Sequence, residues 1–168
     1  KRSVGKASVK VSDQVWTGKA LKPAATVKDG NVTLKKDRDY TVSYSANKGI
    51  GTAKVTVTGK GSYTGKITKT FKINPQGQSI SAKGDKSGKK IAVTLAKHST
   101  NSGYQVSYAD NSGFKKSKSL WLSGNSKNKG TIKGLKSKKT YYVKARDYKT
   151  IGKTKVYGKW SAGKKVFI

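Results

Sequence analysis

Alternation governs this chain. In Tyr40–Tyr44 (YTVSY) the apolar positions Tyr40, Val42 and Tyr44 are separated by polar ones. Ala53–Val57 repeats the pattern through Ala53, Val55 and Val57, and Phe71–Ile73 continues it. Ile91–Leu95, Tyr104–Tyr108 and Tyr141–Ala145 do the same further along. A period of two sends successive side chains to opposite faces, so each stretch predicts a half-buried β-strand. Helical spacing is hard to find. Turn formers break the strands at short intervals: Asp29-Gly30, Lys48-Gly49, Gly59 with Gly61, Asn111 with Gly113, and Gly124-Asn125. Short strands in that rhythm predict sandwiches.

The rhythm breaks best at Asn74–Gly77 (NPQG), after the strand ending at Ile73. The expectation is therefore an all-β protein of two tandem β-sandwich domains, residues 1–76 and 77–168. A length of 168 residues with 33% apolar content suits two small domains with thin cores.

Charge changes the picture more than size does. The chain carries 38 Lys+Arg against 7 acids, all of them Asp, for a formal charge of +31. Residues 1–76 hold 16 of the basic residues and 4 Asp, and residues 77–168 hold 22 and 3, so the charge is spread over both domains. Solubility alone asks for a net charge of roughly 2–8 on a small domain. Most of the excess is lysine, a hydrated point charge suited to any polyanion: nucleic acid, anionic lipid, wall polymer or sulfated glycan. There is no cysteine, hence no disulfide. No run of about 18 apolar residues predicts a transmembrane segment. No signal-peptide pattern is visible, and a start at Lys1-Arg2 reads as a piece cut from a longer protein.

Catalytic chemistry is poorly supplied. His98 is the sole histidine, reads as a loop residue, and has no nucleophile-elbow sequence to serve. A zinc site needs several His or Cys ligands. Asp37 and Asp39 flank Arg38 and are expected to pair with neighbouring cations such as Lys35 and Lys36, since calcium asks for more oxygen ligands. The glycine clusters contain no phosphate-binding loop pattern. The chain is expected to be no enzyme, with no catalytic residues, cofactor or metal.

Residues 10–73 resemble the bacterial Ig-like modules that occur in tandem in surface proteins of Gram-positive bacteria. The resemblance rests on Thr17–Pro23 (TGKALKP), Asp39–Tyr44 (DYTVSY), Gly51–Gly59 (GTAKVTVTG) and Gly61–Gly65 (GSYTG). Trp16 stands where a tyrosine is expected. Residues 78–168 resemble a fibronectin type III domain. Leu135 with Tyr141 matches that family's leucine and corner tyrosine, Tyr141–Ala145 its next strand, and Gly158–Ser161 (GKWS) the approach to its last. The tryptophan expected near Leu95 is missing. The fibronectin-like resemblance implies that Ser119–Ser123 (SLWLS) shares a sheet with Tyr104–Tyr108 and Tyr141–Ala145. Leu120 and Leu122 then face the core and Trp121 faces away. The outer face would carry Trp121, Gln105, Tyr142, Lys144 and Arg146, which are the expected ligand-binding residues. A Trp beside a Tyr, flanked by cations, can stack on a ring while the charges hold an anion. Trp16 and Trp160 are expected in core or interdomain packing. Lys133, Lys136, Lys138 and Lys139 fall near turns and read as solvated.

The resemblances imply a non-catalytic accessory module of a secreted or cell-wall-associated protein, acting as spacer, adhesion unit or targeting appendage. The expected partner is an anionic cell-wall polymer or glycan. A host surface or an attached catalytic domain of the parent protein is a further candidate. The alternatives are a nucleic-acid-binding basic protein and a plain spacer without ligand.

Overall fold

The computed structural model describes all residues from Lys1 to Ile168. The chain forms two compact units, Lys1–Asn74 and Pro75–Ile168. Both are built of strands, and the one helical element is a 3-10 turn at Val4–Lys6. The stretches of alternating sequence are all strands, because each has one face to bury and one to leave in water.

In the first unit the strands are β1 (Arg2–Ser3), β2 (Ser8–Val11), β3 (Gln14–Val15), β4 (Ala25–Asp29), β5 (Val32–Thr33), β6 (Tyr40–Ser45), β7 (Gly51–Gly59), β8 (Tyr63–Thr64) and β9 (Lys66–Asn74). One sheet runs β2-β4-β5 and the other β3-β9-β7-β6, with β1 and β8 paired at the side. Strand β7 is central. It turns Ala53, Val55 and Val57 fully inward, against Phe71 and Ile73 from β9 and Val27 from β4. Trp16 is half-buried and packs on the Ala53–Phe71 part of this core.

The second unit holds β10 (Ile80–Asp85), β11 (Lys90–Leu95), β12 (Gly103–Ala109), β13 (Lys118–Ser123), β14 (Lys129–Ile132), β15 (Thr140–Ile151), β16 (Thr154–Tyr157) and β17 (Lys164–Phe167). One sheet is β10-β11-β14; the other is β13-β12-β15-β16, with β17 also on β15. Ile91 and Val93 from the first face Tyr104, Val106, Val143 and Ala145 from the second, all essentially water-free. The Tyr141 hydroxyl accepts from the Lys136 amide at 2.9 Å, which fixes the loop after β14. Pro75 and Gln76 belong to this unit. The Gly158 backbone lies so close to them that a methyl group there would sit 2.4 Å from the Gln76 carbonyl oxygen.

Strand β15 positions the candidate site. Its two ends pair along one edge with different partners, Thr140–Val143 with β17 and Tyr148–Ile151 with β16. The middle of that edge is filled by a non-repetitive segment. Ser161 donates its amide to Ala145 O at 2.7 Å, and its hydroxyl accepts from the Ala145 amide at 3.0 Å. Gly158 donates to Asp147 O at 3.0 Å. Ser161 is therefore turned in and buried, and Trp160 beside it is half-buried against the outer side of the sheet rather than lying in the core.

Candidate functional site

Cross-strand register assembles the outer face of the β13-β12-β15-β16 sheet. Gln105 on β12 lies between Trp121 on β13 and Arg146 on β15, and Ser107 lies between Ser119 and Lys144. Leu120 and Leu122 lean on the core while Trp121 remains 44% exposed. Gln105 ties three strands together. Its Oε1 accepts from Arg146 Nε at 2.8 Å, and its Nε2 donates to Ser119 Oγ at 3.0 Å.

Cations and rings alternate across this face. Lys144 Nζ lies 4.1 Å from the Phe114 ring centre and 4.9 Å from that of Trp160. The Arg146 guanidinium carbon lies 4.3 Å from the Trp160 centre and 3.7 Å from that of Tyr157. One continuous stack therefore reads Phe114, Lys144, Trp160, Arg146, Tyr157. Beside it Lys155 Nζ is 5.6 Å from both Trp121 and Tyr148, whose rings meet edge to face at 5.5 Å. Each such contact contributes about 0.5–2 kcal/mol, more where water is excluded. Burial among the rings pushes the Arg146 guanidinium below its usual range, while Tyr157 acts in the opposite direction. Arginine stays charged throughout the physiological range.

Of the five residues expected on this face, Trp121, Gln105, Lys144 and Arg146 are brought together. Tyr142 lies on the same side of β15, next to Ala109 and Lys165 in register, and does not join the stack. Trp160, Tyr157, Phe114 and Lys155 escape the alternation argument. Trp160 and Phe114 come from non-repetitive segments, and Tyr157 and Lys155 from a short edge strand with no alternating apolar signal. The aromatic content of Tyr157–Trp160 was the available signal, but its orientation depends on Ser161 turning inward.

His98 lies in the loop after β11, yet its ring is not free. Its Nδ1 is 2.6 Å from Asp147 Oδ2, and Asp147 is 1% exposed. Asp147 Oδ1 accepts from Gln78 Nε2 at 2.7 Å. Gln78 also bonds both the amide and the carbonyl of Ala96. Burial raises the Asp147 carboxyl above the ordinary carboxylate range, opposed by His98 and Gln78. Asn101 is buried beside this cluster and also favours the charged Asp147 carboxylate. The cluster closes the entry to the second unit by joining Gln78 to β15, which gives His98 and Asp147 a structural task.

The Asp37–Asp39 segment pairs with its neighbours. Arg38 makes two bonds to the Asp39 carboxylate, at 2.9 and 2.8 Å, and the Lys35 amide adds a third at 2.8 Å. These bonds, that of Arg38 first, lower the Asp39 carboxyl below its ordinary value. Asp37 pairs with Lys36 at 3.3 Å on the exposed side. Across the whole chain only Arg2, Lys36, Arg38, Lys90 and Lys139 have an acidic partner. The great majority of the 38 basic side chains face solvent without one.

No protein-family model matches the chain, and no curated protein matches it in sequence. Similarity appears among solved structures. A cytokine receptor complex aligns over 95% of this chain and 96% of its own, at 13% identity and a TM-score of 0.56. The FN1-FN3 domains of chicken CNTN1 align over 72% of this chain at 17% identity and a TM-score of 0.48, and the chain spans 42% of that structure. The likeness is one of fold, the tandem β-sandwich of the fibronectin type III and immunoglobulin-like kind. No helix is long and apolar enough to cross a membrane.

Proposed function

We propose that this chain is a non-catalytic accessory module of a secreted or wall-attached Gram-positive protein, and that it binds an anionic wall polymer or glycan. The observation that carries the reading is the ladder of alternating cations and rings on an open sheet face, with Trp121 uncovered at its side. The many unpaired lysines draw in the polyanion from any direction. The ladder holds Lys144 and Arg146 in fixed positions, so little side-chain freedom is lost when an anionic group meets them. Trp121 offers a ring surface for a sugar, and Gln105 lies beside it in register; Tyr142, farther along β15, extends the same face. Location outside the cell, as in surface modules of this fold, belongs to the same proposal.

Retention on purified wall polymer tests it. Affinity is expected to fall steeply as salt rises, because the attraction is largely between exposed charges. Trp121→Ala is expected to weaken retention about tenfold at constant salt, the scale of one lost stacking contact. Retention that ignores both salt and the substitution would contradict the reading. DNA retained in preference to wall polymer at matched charge would favour a nucleic-acid role instead.

A further inference from the structure

A second cationic feature lies on the loops at one end of the second unit, next to the Phe114 end of the ladder. A cavity of about 440 Å³ opens there between the loop after β12 and the loop before β15. Its wall includes six lysines: Lys115, Lys116, Lys118, Lys133, Lys136 and Lys139. One acid, Asp110, is present, and it lies 3.7 Å from Lys139. None of the other five lysines has an ion-pair partner. The floor is apolar, formed by buried Leu135 and Tyr141 with half-buried Tyr108.

Both loops are fixed by hydrogen bonds of their own. The Asn111 side chain accepts from the Lys115 amide at 2.8 Å and donates to the Lys115 carbonyl at 2.9 Å. This holds Phe114 and Lys116 at φ of 53° and 50°, left-handed backbone that costs non-glycine residues of order 1 kcal/mol or more each. The other loop is pinned by the Tyr141 hydroxyl on the Lys136 amide and by the Leu135 amide on Lys89 O at 3.0 Å. Lys139 and Ile168 exchange backbone bonds at its far side, at 3.2 and 2.9 Å. Two stiff loops thus hold like charges around a hollow, an arrangement that an anion relieves.

The geometry points to a binding site for a phosphate ester carried on a sugar-sized polyol. The volume falls in the range of small-molecule sites. Lysines bind phosphate as point charges, and five unpaired ones favour a dianion over a singly charged group. Asp110 supplies an acceptor for a polyol hydroxyl. A nucleotide fits less well, because the tyrosines here give their rings to the core and leave no open aromatic face for a base. The site shares no residue with the outer-face ladder, so it stands or falls separately from the polymer-binding reading.

Titration calorimetry of the full chain at low salt with glucose 6-phosphate tests it, with glucose, inorganic phosphate and adenosine monophosphate as comparators. Saturable one-to-one binding of glucose 6-phosphate is expected, with no binding of glucose. The triple variant K116Q/K133Q/K136Q is expected to weaken it at least tenfold. The control K10Q/K54Q/K72Q removes the same charge from the first unit and is expected to change it less than twofold. Trp121→Ala should leave it unchanged, so loss of polymer retention in that variant with sugar-phosphate binding intact would separate the two sites. Thermal melts establish that each variant folds. No saturable binding, equal losses in the two triple variants, or inorganic phosphate or adenosine monophosphate binding as tightly as glucose 6-phosphate would each overturn the proposal.

Discussion

Ser161 shows how a single side chain decides what a surface displays. Its hydroxyl satisfies the buried Ala145 amide and donates to Ala162 O at 3.0 Å. With the serine turned in, Trp160 is placed over Lys144 and Arg146. Ser161→Ala leaves a buried amide without a partner, and is expected to destabilise the second unit by about 1–3 kcal/mol. Urea denaturation followed by tryptophan emission measures it, and a loss below about 0.5 kcal/mol would contradict the role given to the hydroxyl. This residue was not legible in the sequence as a determinant. Alternation told which residues of β12, β13 and β15 face out, and it placed Trp121, Gln105, Lys144 and Arg146 correctly. It says nothing of a segment without a period, so Trp160 was expected in core or interdomain packing. Nor does an outward position mean water: Tyr148 is on the ladder side and is 5% exposed beneath Trp121 and Lys155.

At the scale of elements, turns bring order that strand patterns cannot supply. In the β10–β11 hairpin the Asp85 carboxylate accepts from the Gly88 amide at 2.9 Å and from Ser87 Oγ at 2.8 Å. These bonds, the backbone one first, with Lys90 nearby, hold its pKa down from 3.8 to about 2. A carboxyl whose folded pKa lies below its unfolded one lends stability that is complete above the unfolded value and vanishes as pH falls through the folded one. The second unit is therefore expected to lose stability between about pH 4 and pH 2, and Asp85→Asn is expected to flatten that part of the profile. Thermal melts across the window read the slope, and an identical slope in the variant would sink this assignment. The bonding of Asp85 was not legible in the chain, because it depends on the turn geometry. The His98–Asp147 contact was less visible still, because the two residues lie 49 positions apart and meet only when β15 closes against the loop after β11.

For the whole molecule, the balance of 38 basic residues against 7 acids is the feature that fold alone does not require. The strands need polar residues on their wet faces, and threonine or serine would serve. The choice of lysine, mostly unpaired, raises self-repulsion in both units, which the polyanion proposed above would relieve. Fold class was readable because alternation and turn spacing are local properties. The partner was not, because charge attracts every polyanion and only the arrangement of rings and cations distinguishes a face from a halo. The three tryptophans report on that arrangement directly: Trp16 in the first unit, Trp121 and Trp160 on the second unit's outer face. The decisive measurement is a nitrogen–proton NMR titration of the full chain with a glycerol-phosphate polymer, following the three indole signals. Binding at the ladder face is expected to shift the Trp121 and Trp160 signals in a saturable way and leave that of Trp16 in place. Shifts confined to Trp16, or three signals that stay still while the polymer is bound, would contradict the account.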